Sequence, residues 1–357
     1  MKEASQRLLS RGYHPMTKSM GEVHTYAFIP RVGWHSALYH DLSLLGPVTS
    51  FDYSERGVSW YDLQGSRAST NALRRQLNYE ALQTLRKAHS QCPVDWVFIY
   101  ANGSEIRSEF VTSITSDLGI PTVNMCLDDK QSWVVGQMDG QSGGQRDIAS
   151  HFDLSWTSAR VACDWYLVEG ANPLYLPEGF DASTNYPVDV PKTIDVSFVG
   201  AAYGFRRQIV DHLRSHHINV ATYGRGWQAS IGQDEMRSLY NRSVINLGVG
   251  DIGYASDLTN VKGRDFEVTG TGGGAYLTTY NSDLCHHFTV GAEILCYRGL
   301  DELIELIRYY LAHRDETTDI AHAARARALR EHRWLHRYIK VLTVLGVLRK
   351  EQAGHGV

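Results

Sequence analysis

The alternation of short apolar segments with amphipathic ones is the feature that most constrains this fold. The first half indicates buried strands at HTYAFIP, PVTSFDY, VDWVFIY and IPTVNMCL, separated by helical patterns such as HSALYHDLSLLG. A second series starts at IDVSFVG and continues through NVATYG, SVINL and EILCY. Strands that alternate with helices form parallel sheets with helices on both faces. The sequence therefore predicts an α/β protein with two doubly wound, Rossmann-like domains that face one another across a cleft.

The 357 residues exceed what one hydrophobic core usually holds, which agrees with two domains. The stretch ASTNYPVDVPK has small polar residues, two prolines and no apolar period, so it is interpreted as the linker. We predict one domain over residues 1–185 and another over 186–335. The apolar segment 336–357 is predicted to be a helix that packs back on the first domain. A homodimer interface is the competing explanation for its apolar face.

Composition excludes several classes of function. A net charge of −4 gives no electrostatic basis for binding nucleic acid. The five cysteines are odd in number and have no CxxC spacing, which is typical of reduced thiols and not of disulfides or a zinc site. No segment is apolar and long enough for a signal peptide or a transmembrane span. We therefore expect a soluble, cytoplasmic protein with no metal site.

The stretch from Asn260 to Tyr280 carries the strongest chemical signal. Lys262 and Arg264 are cations of the kind that hold a diphosphate, and Glu267 can accept hydrogen bonds from both hydroxyls of a ribose. Gly272, Gly273 and Gly274 let backbone amides approach an anion closely. The alternative interpretation is a helix with solvated charges that ends in a glycine cap.

A second predicted anion pocket lies where the strand IDVSFVG turns at Gly200 into a helix. Arg206, in that helix, either reaches a phosphate or lies on a solvated face. In the first half, His35 follows the first strand, and Asp128 and Asp129 follow IPTVNMCL. The carboxyl ends of parallel strands are where α/β sheets place their sites. These side chains are therefore candidate catalytic groups, although each also has a structural interpretation as a cap or a turn residue.

The order IDVSFVG, YGRGW, SVINLGVG, KGRDFEVTGTGGGAYLTTY, LCHHFTVGAEILCY and DELIELIRYYLAH resembles the CgeB-like (spore-maturation protein type) glycosyltransferases. VDWVFIYANG, GIPTVNMCLDD and LYLPEGFD are similar to segments of the same family in the first half. The resemblance implies the B-type two-domain glycosyltransferase fold and a role in bacterial glycan biosynthesis. It also implies that the second domain binds a nucleotide-sugar donor, that the first binds the acceptor, and that catalysis in the cleft needs no metal.

Residue roles follow from the same resemblance. Lys262 and Arg264 would hold the donor diphosphate and Glu267 the ribose, while Gly200 and the Gly272–Gly274 run would supply backbone amides. The nucleobase of the donor would lie between Tyr223–Gly224 and the loop after Gly248. The donor would be a UDP- or GDP-sugar used as co-substrate, with no tightly bound cofactor, and hexosyl transfer is the implied reaction. The acceptor is a glycan, a protein or a small molecule.

An inverting transfer needs a general base near the acceptor hydroxyl. His35 is the first candidate, and Asp128 or Asp129 would replace or orient it. Thr259 stands where many retaining relatives carry a glutamate, which leaves both stereochemical outcomes open. Two alternatives stay open as well: a catalytically inactive relative that binds a nucleotide or glycan, and another nucleotide-sugar-modifying Rossmann enzyme. A dinucleotide oxidoreductase is disfavoured, because no GxGxxG follows the first strand of either half.

Overall fold

A computed structural model of the chain describes residue 6 and residues 8–349, and it divides into two compact units. The first unit contains the described residues through Pro177 and those from Trp334 onward, and the second contains Glu178–Arg333. Each unit is built on one parallel sheet with helices around it. The predicted fold class, α/β with two Rossmann-like domains, is confirmed.

The first sheet has six strands in the order β2-β1-β3-β4-β5-β6. These strands are β1 (Thr25–Phe28), β2 (Val48–Phe51), β3 (Trp96–Ile99), β4 (Thr122–Cys126), β5 (Leu154–Thr157) and β6 (Pro173–Tyr175). Its helices are α1 (Ala37–Ser43), α2 (Ala68–Gln91), α3 (Ser108–Thr112), α4 (Asp129–Ser132), α5 (Arg146–Ala149) and α6 (Ala162–Val168). Every residue of β1, β3, β4 and β5 is buried, as expected for strands covered on both faces.

Shorter elements complete the first unit. There are 3-10 turns at Gly33–Ser36, Tyr53–Arg56 and Trp60–Leu63, a π turn at Ser113–Asp117, and a small hairpin that pairs Gln137–Met138 with Gln141–Ser142. The chain runs from β1 outward to β2 and then returns to place β3 on the other side of β1. The strand order therefore reverses between β1 and β3, and such a switch point opens a crevice at the carboxyl ends of the strands.

The second sheet has five strands in the order β8-β7-β9-β10-β11. These are β7 (Ile194–Val199), β8 (Val220–Tyr223), β9 (Ser243–Leu247), β10 (Ala275–Thr279) and β11 (Leu295–Tyr297). Its helices are α7 (Arg206–Ser215), α8 (Gln233–Arg242), α9 (Gly263–Thr271), α10 (Leu300–Ala312) and α11 (Arg314–Glu331). An antiparallel hairpin pairs Asp251–Ile252 with Ala255–Thr259, and a 3-10 turn lies at Leu284–His286. The order reverses between β7 and β9, which places the switch point at the carboxyl ends of these two strands.

The second unit begins earlier than the predicted linker. Residues 178–185 belong to it because Phe180 is fully buried against helix α9. The ring of Phe180 occupies the space that a side chain at Gly270 would need. The predicted linker, ASTNYPVDVPK, therefore belongs entirely to the second unit.

The last described helix, α12 (Trp334–Leu345), returns to the first unit. Its apolar side chains join the same core as Trp96, Phe98 and Trp156. The backbone N–H of Leu335 donates to the buried carboxylate of Asp41 at 2.8 Å, so a side chain of helix α1 satisfies an open donor at the start of α12. Residues 350–357 of the predicted C-terminal helix lie outside the described residues. Among the helices that the structure describes, none is long and apolar enough to cross a membrane.

Candidate functional site

The carboxyl edge of the second sheet collects most of the predicted donor-binding side chains. Helix α7 starts at Arg206, just after strand β7, and helix α9 starts after Lys262. Because α9 leads into the parallel strand β10, it begins at the carboxyl edge and ends at the amino edge. Lys262 therefore lies at the N-cap of α9, and Arg264 and Glu267 lie in its first turns, on the same edge as Arg206.

Arg206 and Arg264 form what we call the arginine pair. Both side chains are half-buried, and the Nε atom of each is buried without a hydrogen-bond partner among the described residues. Burial lowers the pKa of Arg206, and charge repulsion from Arg264, on the same edge of the sheet, lowers it further. Buried donors in native proteins are nearly always paired, and like charges repel one another. This arrangement is suited to an anion that would satisfy both groups.

Arg206 is held in place by its own surroundings. Its Nη1 atom donates to the carbonyl of Ala201 at 3.2 Å, and its guanidinium lies 4.4 Å from the ring centroid of Tyr203. Arg264 has a different set of neighbours. Burial lowers its pKa, but the hydroxyl of Tyr240 and the carboxylate of Glu267 outweigh burial and raise it. Arg264 is thus a fixed charge whose Nε–H has no acceptor within the part of the chain that the structure describes.

Carboxylates at the start of helix α9 set the local charge. Burial raises the pKa of Glu267, and Arg264 opposes that shift. A Cβ added to Gly263 would lie 3.8 Å from Oε1 of Glu267, so this carboxylate folds back toward the helix N-terminus. Asp265 accepts from the backbone N–H of Lys262 at 2.7 Å, and burial raises its pKa to about 6. Asp265 was not predicted as a site residue, although a carboxylate three residues after the N-cap is a capping signal.

The structure does not bring the run Gly272–Gly274 to this edge. Helix α9 has nine residues, so at 1.5 Å per residue its two ends are roughly 13 Å apart. Gly272 closes the helix in the left-handed conformation with φ +68°, and Gly274 packs against Ser243 at the start of strand β9. The prediction that this run supplies amides to the donor phosphates is corrected: the glycines lie at the amino edge of the sheet.

Gly200 and Gly224 are at the carboxyl edge, but their amides are already paired. The N–H of Gly200 donates to Tyr223 at 2.9 Å, and the N–H of Gly224 donates to Ala229 at 2.7 Å. Gly224 has φ +120°, and a Cβ there would come within 2.5 Å of the Gly200 carbonyl oxygen. These glycines therefore allow the ends of β7 and β8 to pack closely. This corrects the prediction that the Gly200 amide holds phosphate. Tyr223, which was predicted to lie near the nucleobase, is half-buried at the same edge.

The first unit has a pocket of about 670 Å³ at the carboxyl edge of its sheet. We call it the first-domain pocket. Residues that follow β1 and β3, the two strands at the switch point, line it together with residues that follow β2 and β4. They include Pro30, His35, Tyr53, Tyr100, Ala101, Leu127 and Asp128. The fold thus brings His35 and Asp128, two of the candidate catalytic residues, into one cavity.

His35 has the geometry of a base. Its Nδ1 atom lies 3.2 Å from the carbonyl oxygen of Pro30, which can only accept, so Nδ1 carries the proton and Nε2 keeps its lone pair. The ring packs edge-on against Tyr100 with 5.0 Å between centroids. Burial lowers the pKa of His35 below its ordinary value of 6.5, which keeps the imidazole neutral at pH 7. The orienting group is the Pro30 carbonyl and not one of the two aspartates.

Asp128 and Asp129 have different surroundings. Asp128 is exposed and lines the first-domain pocket. Asp129 is fully buried and accepts from the hydroxyls of Thr157 at 2.5 Å and Tyr166 at 2.7 Å. Burial raises its pKa to about 6. Because both of its oxygens are occupied inside the core, Asp129 is a structural residue, which corrects its assignment as a catalytic candidate.

Glu105 is a pocket residue that the sequence analysis missed. Its Oε1 atom accepts from the hydroxyl of Tyr53 at 2.7 Å, and its Oε2 atom accepts from the N–H of Asn102 at 3.0 Å. Burial raises the pKa of Glu105 to about 7. The spacing of Asn102 and Glu105 is that of a capping box, which is the signal that could have identified this carboxyl group.

Within residue 6 and residues 8–349, no cluster of three or more His, Cys, Asp or Glu side chains has the arrangement of a metal site.

Solved glycosyltransferases of the B-type fold share this arrangement of two doubly wound sheets. Anabaena HepE, solved in complex with UDP and glucose, is similar with a TM-score of 0.57 and 12% identity over 90% of this chain and 99% of HepE. A glycosyltransferase from Rickettsia africae ESF-5 has a TM-score of 0.60 and 10% identity over 91% and 99% of the two chains. Sucrose-phosphate synthase from Thermosynechococcus elongatus has a TM-score of 0.51 and 10% identity over 75% and 77%.

Sequence comparison agrees for the second half of the chain. Residues 206–343 match the family described as "Glycosyl transferase-like". This range starts at Arg206 and includes Lys262, Arg264 and Glu267. No curated protein matches the chain at a significant level of similarity.

Proposed function

We propose that this protein is a glycosyltransferase that moves a hexose from a UDP- or GDP-sugar to an acceptor bound in the first-domain pocket, without a metal ion. The arginine pair is the observation that carries the proposal. Two half-buried guanidinium groups lie on the same edge of the second sheet and repel one another, and the Nε–H of each has no acceptor among the described residues. A nucleoside diphosphate supplies the oxygen acceptors and the negative charge that this pair needs.

The second domain would bind the donor. Arg264 and Arg206 hold the diphosphate, with Lys262 beside them at the start of helix α9, and Glu267 accepts hydrogen bonds from the ribose hydroxyls. The positive end of the α9 dipole adds to this attraction. HepE contains UDP-glucose in another of its structures, and we therefore place UDP before GDP as the nucleotide to test.

The first domain would supply the base. In the transfer, the acceptor hydroxyl oxygen forms a bond to the anomeric carbon of the sugar and gives its proton to Nε2 of His35. The bond from the anomeric carbon to the diphosphate oxygen breaks, and its electron pair leaves with the nucleoside diphosphate. Charge accumulates on this leaving group, so fixed cations stabilise the transition state more than the bound substrate. The CgeB-like subtype and an inverting outcome are part of this proposal.

Release of nucleotide from a UDP- or GDP-sugar tests the proposal. The full chain should release UDP or GDP in the presence of EDTA, and Arg264→Ala should abolish most of that release while the protein stays folded. A catalytically inactive relative would bind the nucleotide and release no sugar. A nucleotide-sugar-modifying enzyme would alter the sugar and leave it attached to the nucleotide. Strict dependence on Mn²⁺ or Mg²⁺ would contradict the metal-independent mechanism.

The choice between His35 and Asp128 as base can be tested separately. We expect His35→Ala to lower turnover at least a hundredfold, within the range that general base catalysis contributes. Asp128→Asn should have less than a fivefold effect, because Asp128 is exposed at the pocket wall and unnecessary for the His35 tautomer. The reverse ranking would identify Asp128 as the base.

A further inference from the structure

The first-domain pocket presents aromatic rings to whatever it binds. Tyr53, Trp60, Tyr61 and Tyr100 all line it. Trp60 and Tyr61 are 45% and 70% exposed, and their rings meet nearly at right angles with 5.4 Å between centroids. Exposed aromatic faces in a concave site stack on the flat or apolar faces of ligand rings. The pocket therefore favours a ligand that contains a ring.

The described lining of the pocket offers no positive charge from lysine or arginine, whereas Glu105 and Asp128 contribute carboxyl groups. Apart from the His35 imidazole and the Cys126 thiol, the remaining polar side chains of the lining carry hydroxyl or amide groups, such as those of Ser59, Gln131 and Gln145. An anion that entered this pocket would lose hydration without gaining a counter-charge, and that loss is costly. Phosphorylated and carboxylated molecules should therefore bind poorly.

A cationic ligand is not favoured either. Both oxygens of Glu105 are occupied, one by the Tyr53 hydroxyl and the other by the Asn102 amide. That leaves Asp128, which is exposed to solvent, where a single ion pair adds little to binding. The hydroxyl and amide groups of the wall instead suit the hydroxyls of an uncharged ligand.

We propose, building on the function proposed above, that the acceptor is an uncharged molecule with a ring and free hydroxyls, such as a glycoside or a phenolic compound. Its ring stacks on Trp60 and Tyr61, and one hydroxyl reaches Nε2 of His35. The volume of about 670 Å³ lies within the range of pockets that enclose a small molecule. Because the described lining contains no lysine or arginine, phosphorylated acceptors should bind poorly.

Calorimetric binding to the full chain tests this inference without a donor. The matched ligands are 4-nitrophenyl glucoside, which is neutral and has hydroxyls, and 4-nitrophenyl phosphate, which has the same ring and is anionic. We expect the glucoside to bind at least tenfold more tightly. Trp60→Ala and Tyr61→Ala should each weaken glucoside binding about fivefold or more. Tyr79→Ala is the control, because Tyr79 is 64% exposed on helix α2 and does not line the pocket.

A gain-of-binding variant tests the charge argument. Gln131→Lys places a cation on the pocket wall and should bring phosphate binding to within about threefold of glucoside binding. The inference is overturned if the phosphate binds as tightly as the glucoside to the unaltered chain. It is also overturned if the glucoside does not bind, or if its binding is unchanged in Trp60→Ala and Tyr61→Ala. If the expected binding is seen but no nucleotide sugar is cleaved, the proposed transferase function fails and the pocket chemistry stands.

Discussion

Substitution of Arg264 is the sharpest test of how the second domain works. If its guanidinium meets charge that grows on the leaving diphosphate, Arg264→Ala should lower kcat more than it weakens donor binding. Loss of one such contact should cost about 3 kcal/mol, which corresponds to roughly a hundredfold in rate. Arg264→Lys keeps the positive charge but not the planar pair of N–H donors, so we expect its kcat to fall only about tenfold.

The neighbours of Arg264 refine this expectation. Arg206 should matter less, because its Nη1 atom already bonds to Ala201 and its guanidinium rests on Tyr203. Removing Arg264 also takes away the charge that opposes the raised pKa of Glu267, so this carboxylate should protonate more readily in the variant. A Glu267→Gln change in the Arg264→Ala background should therefore lower activity less than it does alone.

Steady-state kinetics with varied donor concentration is the assay, and thermal denaturation of each variant checks folding. Arg207→Ala is the matched control. Arg207 is the next residue on helix α7, but it is exposed, bonds to the Gly226 carbonyl at 2.7 Å and lies over Trp227. Loss of the Arg207 side chain should change kcat less than twofold. An unchanged kcat in folded Arg264→Ala, or a change in KM alone, would refute the transition-state argument.

Four further outcomes are expected. Because burial lowers the pKa of His35, its neutral form should persist on acidification, and kcat should stay level from pH 8 to 7 and fall only below about pH 6.5; a fall that begins above pH 7 would contradict this. Burial raises the pKa of Glu105 from 4.5 to about 7. Between these two pH values, Glu105 keeps its proton in the folded protein, whereas it has lost that proton in the unfolded chain. Stability of the first unit should therefore decrease as pH rises through this range, by about 3 kcal/mol at most, and Glu105→Gln should flatten the dependence seen in thermal melts. Glu267→Ala should raise the donor KM several-fold with a smaller effect on kcat, since a ribose contact is equal in ground and transition states; a pure kcat effect would reassign this residue. Leu342→Ala, at a fully buried position of helix α12, should destabilise the first unit by roughly 3 kcal/mol without changing the mass in solution; dissociation of a dimer instead would support the competing interpretation of this helix.

The fold was predictable because hydrophobic periodicity reports strands and helices directly. The edge of the sheet that holds the side chains was predictable as well, since it follows from strand direction. Pairing of backbone amides was not predictable. Gly200 and Gly224 follow strands as expected. However, the N–H of Gly200 bonds to Tyr223 of β8 and the N–H of Gly224 bonds to Ala229, which follows β8, and only the folded structure shows these pairings. The pairing of Arg206 with Arg264 could not be predicted from the sequence either, because 58 positions separate these residues along the chain.

The stretch from Asn260 to Tyr280 shows why closeness in sequence misleads at a helix. A diphosphate at the carboxyl edge can be reached from the first turns of α9, where Lys262, Arg264 and Glu267 lie. Each further residue carries the chain about 1.5 Å toward the opposite edge, so the glycines that follow the last turn cannot serve the same anion. A similar rule separates Asp128 from Asp129. The first residue lines the pocket wall, and the second turns inward to Thr157 and Tyr166. In both stretches, position relative to the strand end decides which side chains can act on a ligand, and residue type decides only what they would do there.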